Sequence, residues 1–65
     1  MLTDREKDFI LALAECNMSV SAVAEHRYFH RNTIHYHLTK VKKRTGLDPK
    51  NFYDLVALVA MAKEG

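Results

Sequence analysis

A chain of 65 residues has room for a single domain, residues 1–65, which buries only about 60% of the surface that it exposes when unfolded. Because such a small core does not readily enclose an active-site cavity, the length argues against an enzyme. With 48% hydrophobic residues, 28% charged residues, a net charge of +2 and no apolar run near the roughly 20 residues of a membrane span, the composition is that of a globular domain.

Two helices are predicted in the first half of the chain. Thr3 and Glu6 have the spacing of a capping box and predict a first helix over residues 4–16. Ser19 can cap a second, short helix over residues 19–27. The apolar residues that recur at helical spacing in these two segments are Phe9, Ile10, Leu13, Ala14, Val20, Val23 and Ala24.

The third helix is predicted over residues 31–45. Gly46 suits the left-handed position that follows many helices. One side of this helix carries an apolar stripe of Ile34, Leu38, Val41 and Thr45. At 100° per residue, the opposite side carries Asn32, Tyr36, Thr39 and Lys43.

A fourth helix is predicted over residues 49–63, with Asp48 as its N-cap and Pro49 at its first position. One apolar stripe consists of Phe52, Leu55, Val56 and Val59, and Leu58 and Met61 lie on another side. Since a terminal helix that is apolar on two sides has more surface than one core can cover, we expect here an interface with a second copy or, as the alternative, with an upstream domain. Its predicted residues are Leu55, Leu58 and Met61.

The four predicted helices indicate an all-α fold, in which a short second helix and a longer third one form a helix-turn-helix within a three-helix core. The fourth helix is added at the C-terminus. Residues 26–47 contain six basic residues and no acidic one, whereas residues 1–25 carry a net charge of −3 and residues 48–65 of −1. Such a basic segment is typical of a protein that binds a polyanion, although a solvated helix face would look the same.

The third helix also carries a family resemblance. The segment His30-Arg31-Asn32-Thr33-Ile34-His35-Tyr36-His37-Leu38, with the later Thr45-Gly46-Leu47-Asp48, resembles the C-terminal helix-turn-helix domain of the PucR/CdaR family of bacterial regulators. The opening Leu2-Thr3-Asp4-Arg5-Glu6-Lys7 is similar to the start of the related LuxR/GerE-type domains. Two features depart from the PucR/CdaR pattern: Arg27 replaces a usual leucine, and His35 and His37 stand where arginine is frequent.

The resemblance implies sequence-specific binding of double-stranded DNA in bacterial transcription regulation, with the third helix in the major groove. Carried over by position, the contact residues are Arg31, Asn32, Thr33 and Tyr36. His35 is a further predicted contact residue, because it lies on the same helix and gains charge as the pH falls. Basic residues that we expect near phosphates are Lys40, Lys42, Lys43 and Arg44.

The expected partners follow from that function. A second copy would read a half-site one helical turn away, and a sensing domain would lie upstream. The N-terminus lacks the pattern of a signal peptide and Cys16 is the single cysteine, so we expect a cytoplasmic protein. We expect no cofactor and no metal, because His35 and His37 point about 200° apart on one helix.

Two alternatives remain at this point. The chain can be a protein-interaction or dimerisation module that uses the fourth helix, its basic segment being incidental. It can also be a helical RNA-binding module, although duplex RNA has a deep, narrow major groove that does not admit a helix in this way.

Overall fold

The computed structural model describes residues 2–64, and these contain four helices: α1 (Asp4–Glu15), α2 (Val20–Arg27), α3 (Arg31–Thr45) and α4 (Phe52–Glu64). No strand occurs between residues 2 and 64, so the predicted all-α class is confirmed. In the described part of the chain, no helix combines the length and the apolar character that a bilayer span requires.

Side chains just outside the first three helices accept hydrogen bonds from the helices' first free N–H groups. The capping box predicted at α1 is present: Thr3 Oγ1 accepts from the Glu6 N–H at 3.1 Å, and Glu6 Oε1 accepts from the Thr3 N–H at 2.9 Å. Ser19 Oγ accepts from the Ala22 N–H at 3.2 Å and begins α2. At α3 the cap is His30, a residue that is seldom used in this position.

Helices α2 and α3 both end in a left-handed residue. Gly46 follows α3 with φ 78°, and its N–H donates to the Lys42 carbonyl at 2.8 Å. Tyr28 follows α2 with φ 59°, and the next N–H, of Phe29, donates to the Ala24 carbonyl at 3.0 Å. For a residue with a Cβ atom, this conformation costs roughly 1–2 kcal/mol relative to a right-handed one, whereas glycine adopts it freely.

Helix α1 lies at the centre of the core and packs against each of the other three helices. The predicted stripe of α3 is buried at Ile34, Leu38 and Val41, next to α1. Helix α2 packs on α1 and α3 and completes the three-helix unit, and α4 packs on α1. The largest fully buried aliphatic and aromatic side chains are Phe9, Ile10, Leu13, Ile34 and Leu58.

The start of α4 differs from the sequence prediction. Asp48 does not cap a helix at Pro49. Instead its carbonyl accepts from the Asn51 N–H at 2.9 Å, and its Oδ1 accepts from the Lys50 N–H at 3.0 Å. These bonds close a β-turn in which proline occupies the second position, a place that suits its fixed φ. Asn51 caps α4 instead, because its Oδ1 accepts a hydrogen bond from the Asp54 N–H at 3.1 Å.

The predicted interface residues of α4 do not lie on its exposed side. Leu55 and Leu58, which were expected at an exposed interface, are 3% and 0% exposed and belong to the core, and Met61 is partly buried against it. Phe52 and Val56, which share a predicted apolar stripe with Leu55, are 61% and 54% exposed. Because α4 is apolar on nearly every side, periodicity does not determine which side meets α1.

Candidate nucleic-acid interface

Helix α2, the three residues 28–30 and helix α3 form the helix-turn-helix unit, and the outer side of α3 is its polar surface. Asn32, Tyr36, Lys40 and Lys43 lie on this side, exposed, and span about 16 Å at 1.5 Å per residue. Arg31 is exposed at the first position of the helix. Of the other predicted contact residues, Thr33 and His35 are half-buried at the margins of this surface, so the structure brings together all seven residues along one helix.

Three of the six cations in the basic segment, residues 26–47, are paired with carboxylates of the protein. Arg27, Lys42 and Arg44 each lie within 4 Å of a carboxylate, those of Asp8, Asp48 and Glu6 respectively. Among residues 2–64, no ion pair involves the other three cations of the segment, Arg31, Lys40 and Lys43. Within the basic segment, the cations that have no carboxylate partner are therefore Arg31, at the start of α3, and Lys40 and Lys43, on its outer side.

The predicted phosphate neighbours include two residues that serve the tertiary structure instead. Lys42 Nζ lies 3.7 Å from Asp48 Oδ2, in the turn that leads to α4. Arg44 makes two hydrogen bonds to Glu6, Nη1 to Oε1 and Nη2 to Oε2, the latter at 2.9 Å. Since a bidentate pair holds the guanidinium in one orientation, Arg44 is directed at α1 and away from a phosphate contact.

The pair of Glu6 and Arg44 joins the beginning of α1 to the end of α3. Glu6 is 2% exposed, and its carboxylate also accepts the Thr3 N–H of the capping box. The hydrogen bonds from Arg44 lower the pKa of Glu6, against the effect of burial, and the Thr3 N–H adds to the lowering. Glu6 is therefore held as a carboxylate, and it fixes the C-terminal end of the exposed helix.

The departure from the family pattern at Arg27 has a structural explanation. Arg27 Nε and Nη2 donate to the two carboxylate oxygens of Asp8 at 2.9 and 3.1 Å, which links α2 to α1. The hydrogen bond to Asp8 raises the pKa of the Arg27 guanidinium. A bidentate ion pair thus occupies the position at which the resemblance led us to expect a leucine.

Aromatic side chains pack the N-terminal half of α3, and the turn before it, against α1. The rings of Phe9 and Phe29 meet edge to face, with centroids 5.4 Å apart, and the centroid of the His37 ring lies 5.3 Å from that of Phe9. His37 thereby faces α1 rather than the outer side of α3. On that outer side, the Lys40 ammonium lies 5.3 Å from the centroid of the Tyr36 ring, so these two contact residues form a cation–π pair.

Sequence reasoning missed the role of His30. Its Nδ1 accepts a hydrogen bond from the Asn32 N–H at 3.1 Å, so an imidazole supplies the cap of the exposed helix. A basic or aromatic residue in front of a helix is a weak signal, because serine, threonine, aspartate and asparagine are the usual caps. With the cap supplied by His30, the Asn32 side chain is not needed for that purpose.

A second surface lies between α1 and α4. Mostly apolar side chains of α4, the end of α1 and the turn after it line a groove of about 440 Å³, which we call the α1–α4 groove. Its lining residues are Ala14, Asn17, Met18, Phe52, Leu55, Val56 and Val59. No cluster of histidine, cysteine and carboxylate side chains suited to a metal ion occurs anywhere in residues 2–64.

A short helix, a tight turn and a longer helix with an exposed polar side define a helix-turn-helix domain, the class that binds DNA in transcription regulation. The family model of the PucR C-terminal helix-turn-helix domain matches residues 8–63, which include all of α2 and α3. The chain belongs to this family. Comparison with curated proteins gives no match, and neither does comparison with solved structures.

Proposed function

We propose that this protein binds double-stranded DNA sequence-specifically in bacterial transcription regulation, with α3 in the major groove. The observation that carries the proposal is the distribution of charge: the three cations of the basic segment without a carboxylate partner lie on α3, beside exposed hydrogen-bonding side chains. The major groove is about 12 Å wide and admits one helix. Cytoplasmic location follows from this function, because the DNA is there.

Each predicted contact residue of α3 has a role that its chemistry suits. Arg31 donates in bidentate fashion to guanine or to a phosphate, and Asn32, whose helix end is capped by His30, offers its amide to adenine. The Tyr36 hydroxyl and the Lys40 ammonium, which lies over the Tyr36 ring, bind the backbone. The three further backbone contacts are Thr33, His35 and Lys43.

The experiment is a titration of a mixed-sequence DNA duplex by fluorescence anisotropy at several salt concentrations. We expect affinity to fall steeply with salt, because each neutralised phosphate releases counterions and adds about −0.9 to the slope of log K against log salt. The variants Arg31→Glu and Lys40→Glu should bind at least tenfold more weakly at low salt. Lys63→Glu makes the same charge change on α4 and should retain most of the affinity.

Absence of binding at low salt would refute the proposal, and so would an equal loss of affinity in the Lys63→Glu control. If the α3 variants bound DNA normally, the groove-binding role of this helix would be wrong even though the domain bound DNA. A duplex RNA of the same sequence should compete poorly, because its major groove does not admit the helix.

We also propose that two copies associate through the α1–α4 groove, and this replaces the interface predicted from the sequence. Phe52 and Val56 expose more than half of their surface there, and no charged residue lies between Asp54 and Lys63. Two uncharged faces meet without repulsion, and a paired domain gains the specificity that a single module lacks. A sensing domain upstream stays a prediction, as does the relation to LuxR/GerE-type domains.

A further inference from the structure

The turn between α2 and α3 contains an exposed aromatic residue in an unfavourable backbone conformation. Tyr28 is 95% exposed, more than any other large hydrophobic or aromatic residue of the described chain, and its φ of 59° lies in the left-handed region. The equivalent position after α3 is occupied by Gly46. Glycine or asparagine would fit the Tyr28 backbone better, and a ring so fully exposed gains almost nothing from burial.

The stability of the folded domain therefore does not explain why position 28 is a tyrosine. Both its backbone and its side chain are unfavourable for the isolated domain, and residues held in such conformations are concentrated at functional sites. Tyrosine is also a side chain that interfaces use frequently, since it combines a flat apolar ring with a hydroxyl group that donates or accepts.

His30 adds a second donor in the same turn. Its Nδ1 accepts the Asn32 N–H, so this nitrogen carries no proton and the proton of the neutral ring is on Nε2, at the far edge of an exposed side chain. The turn thus offers a phenol O–H and an imidazole N–H, immediately before Arg31 at the start of the exposed helix.

We propose that Tyr28 and His30 bind the DNA backbone and set the position of α3 in the groove. The inference rests on the proposed function and extends the interface beyond α3 into the preceding turn. Neutral donors of this kind are well suited to phosphate oxygens and fix the register of a recognition helix. Tyr28 then gains in DNA binding what it loses in folding.

Two substitutions separate binding from folding. Tyr28→Asn places in the left-handed position a residue that tolerates it, and His30→Ser keeps a side-chain cap but removes the imidazole donor. We expect both variants to melt at the same temperature as the wild type or higher, and to bind a DNA duplex roughly tenfold more weakly. The slope of log K against log salt should stay unchanged, because neither residue carries a fixed positive charge.

Tyr28→Phe distinguishes the hydroxyl from the ring, since it keeps the backbone strain and the apolar surface. Loss of affinity in this variant assigns a hydrogen bond to the backbone, and retention of affinity assigns contact of the ring with the sugar. Tyr53→Phe and Tyr53→Asn are the matched controls, because Tyr53 is 81% exposed on α4. Neither control should alter DNA binding.

Wild-type affinity in both Tyr28→Asn and His30→Ser would overturn this inference while leaving the role of α3 intact. A loss of affinity that accompanies unfolding of both variants would equally contradict it, because the expected stability would then be wrong. If the wild type itself bound no DNA, the proposed function would fail first, and a protein partner would become the better explanation for the exposed ring.

Discussion

Glu6 is the single charged residue that is buried among residues 2–64, and it connects the capping of α1 to the orientation of α3. Glu6→Gln keeps the size of the side chain but removes the charge that Arg44 binds. We expect the free energy of unfolding at pH 7 to fall by about 2 kcal/mol, the usual magnitude for charge-assisted hydrogen bonds to a buried group. Urea denaturation followed by circular dichroism measures this change.

The matched control is Glu25→Gln, an exposed residue of α2, which should alter the same free energy by at most about 0.5 kcal/mol. Equal effects of the two substitutions would show that the buried pair does not stabilise the fold. A loss of DNA affinity in Glu6→Gln beyond the fraction unfolded would further indicate that the pair positions α3.

Acid stability tests the same carboxylate in a different way. Folding lowers the pKa of Glu6 below its ordinary value of 4.5, so the unfolded chain binds this proton more readily than the folded one. The stabilisation is fully present above that value and is lost as the pH falls through the lowered pKa. Between about pH 5 and pH 3, the wild type should therefore lose stability more steeply than Glu6→Gln. Parallel curves for the two proteins would contradict this assignment.

At the scale of elements, the end of α3 depends on a left-handed glycine. A Cβ atom added to Gly46 would meet nothing within 4 Å, so any effect of a substitution comes from the backbone conformation rather than from a clash. We expect Gly46→Ala to lower the free energy of unfolding by about 1 kcal/mol and Gly46→Asn by about half as much. Thermal unfolding of the wild type, Gly46→Ala and Gly46→Asn measures the order of their stabilities.

The substitutions at Gly46 also test the argument made for Tyr28, which adopts the same left-handed conformation at the end of α2. If Gly46→Ala and Gly46→Asn were as stable as the wild type, the left-handed conformation would not be unfavourable at this position. The unfavourable backbone invoked for Tyr28 would then be absent too. Substitutions at positions 46 and 28 therefore both test whether the left-handed conformation is unfavourable for a residue with a Cβ atom.

For the whole molecule, the α1–α4 groove predicts self-association. We expect the wild type to form dimers at high protein concentration in sedimentation equilibrium and Val56→Glu to remain monomeric, because a carboxylate in the groove would be desolvated without a partner. Ala57→Glu introduces the same charge at an exposed neighbouring position outside the groove lining and should still dimerise. A wild type that stays monomeric at every concentration would refute the dimer.

Local signals in the sequence were sufficient for the class of the fold and for the helix that carries the candidate site. The capping box at Thr3 and Glu6, the stripe through Ile34, Leu38 and Val41, and Gly46 after the third helix each act within one or two turns of chain. The basic character of residues 26–47 is likewise a property of composition. None of these requires knowledge of how the helices pack.

Tertiary structure alone decided which cations on this segment remain without a carboxylate partner. The partner of Arg44 lies 38 residues away and that of Arg27 lies 19 residues away, so no local pattern reveals either pair. The same holds for α4, where apolar residues on nearly every side leave periodicity unable to choose between Leu58 and Val56 for the core. Packing against α1 buries Leu58, and the α1–α4 groove is the surface that this choice leaves exposed.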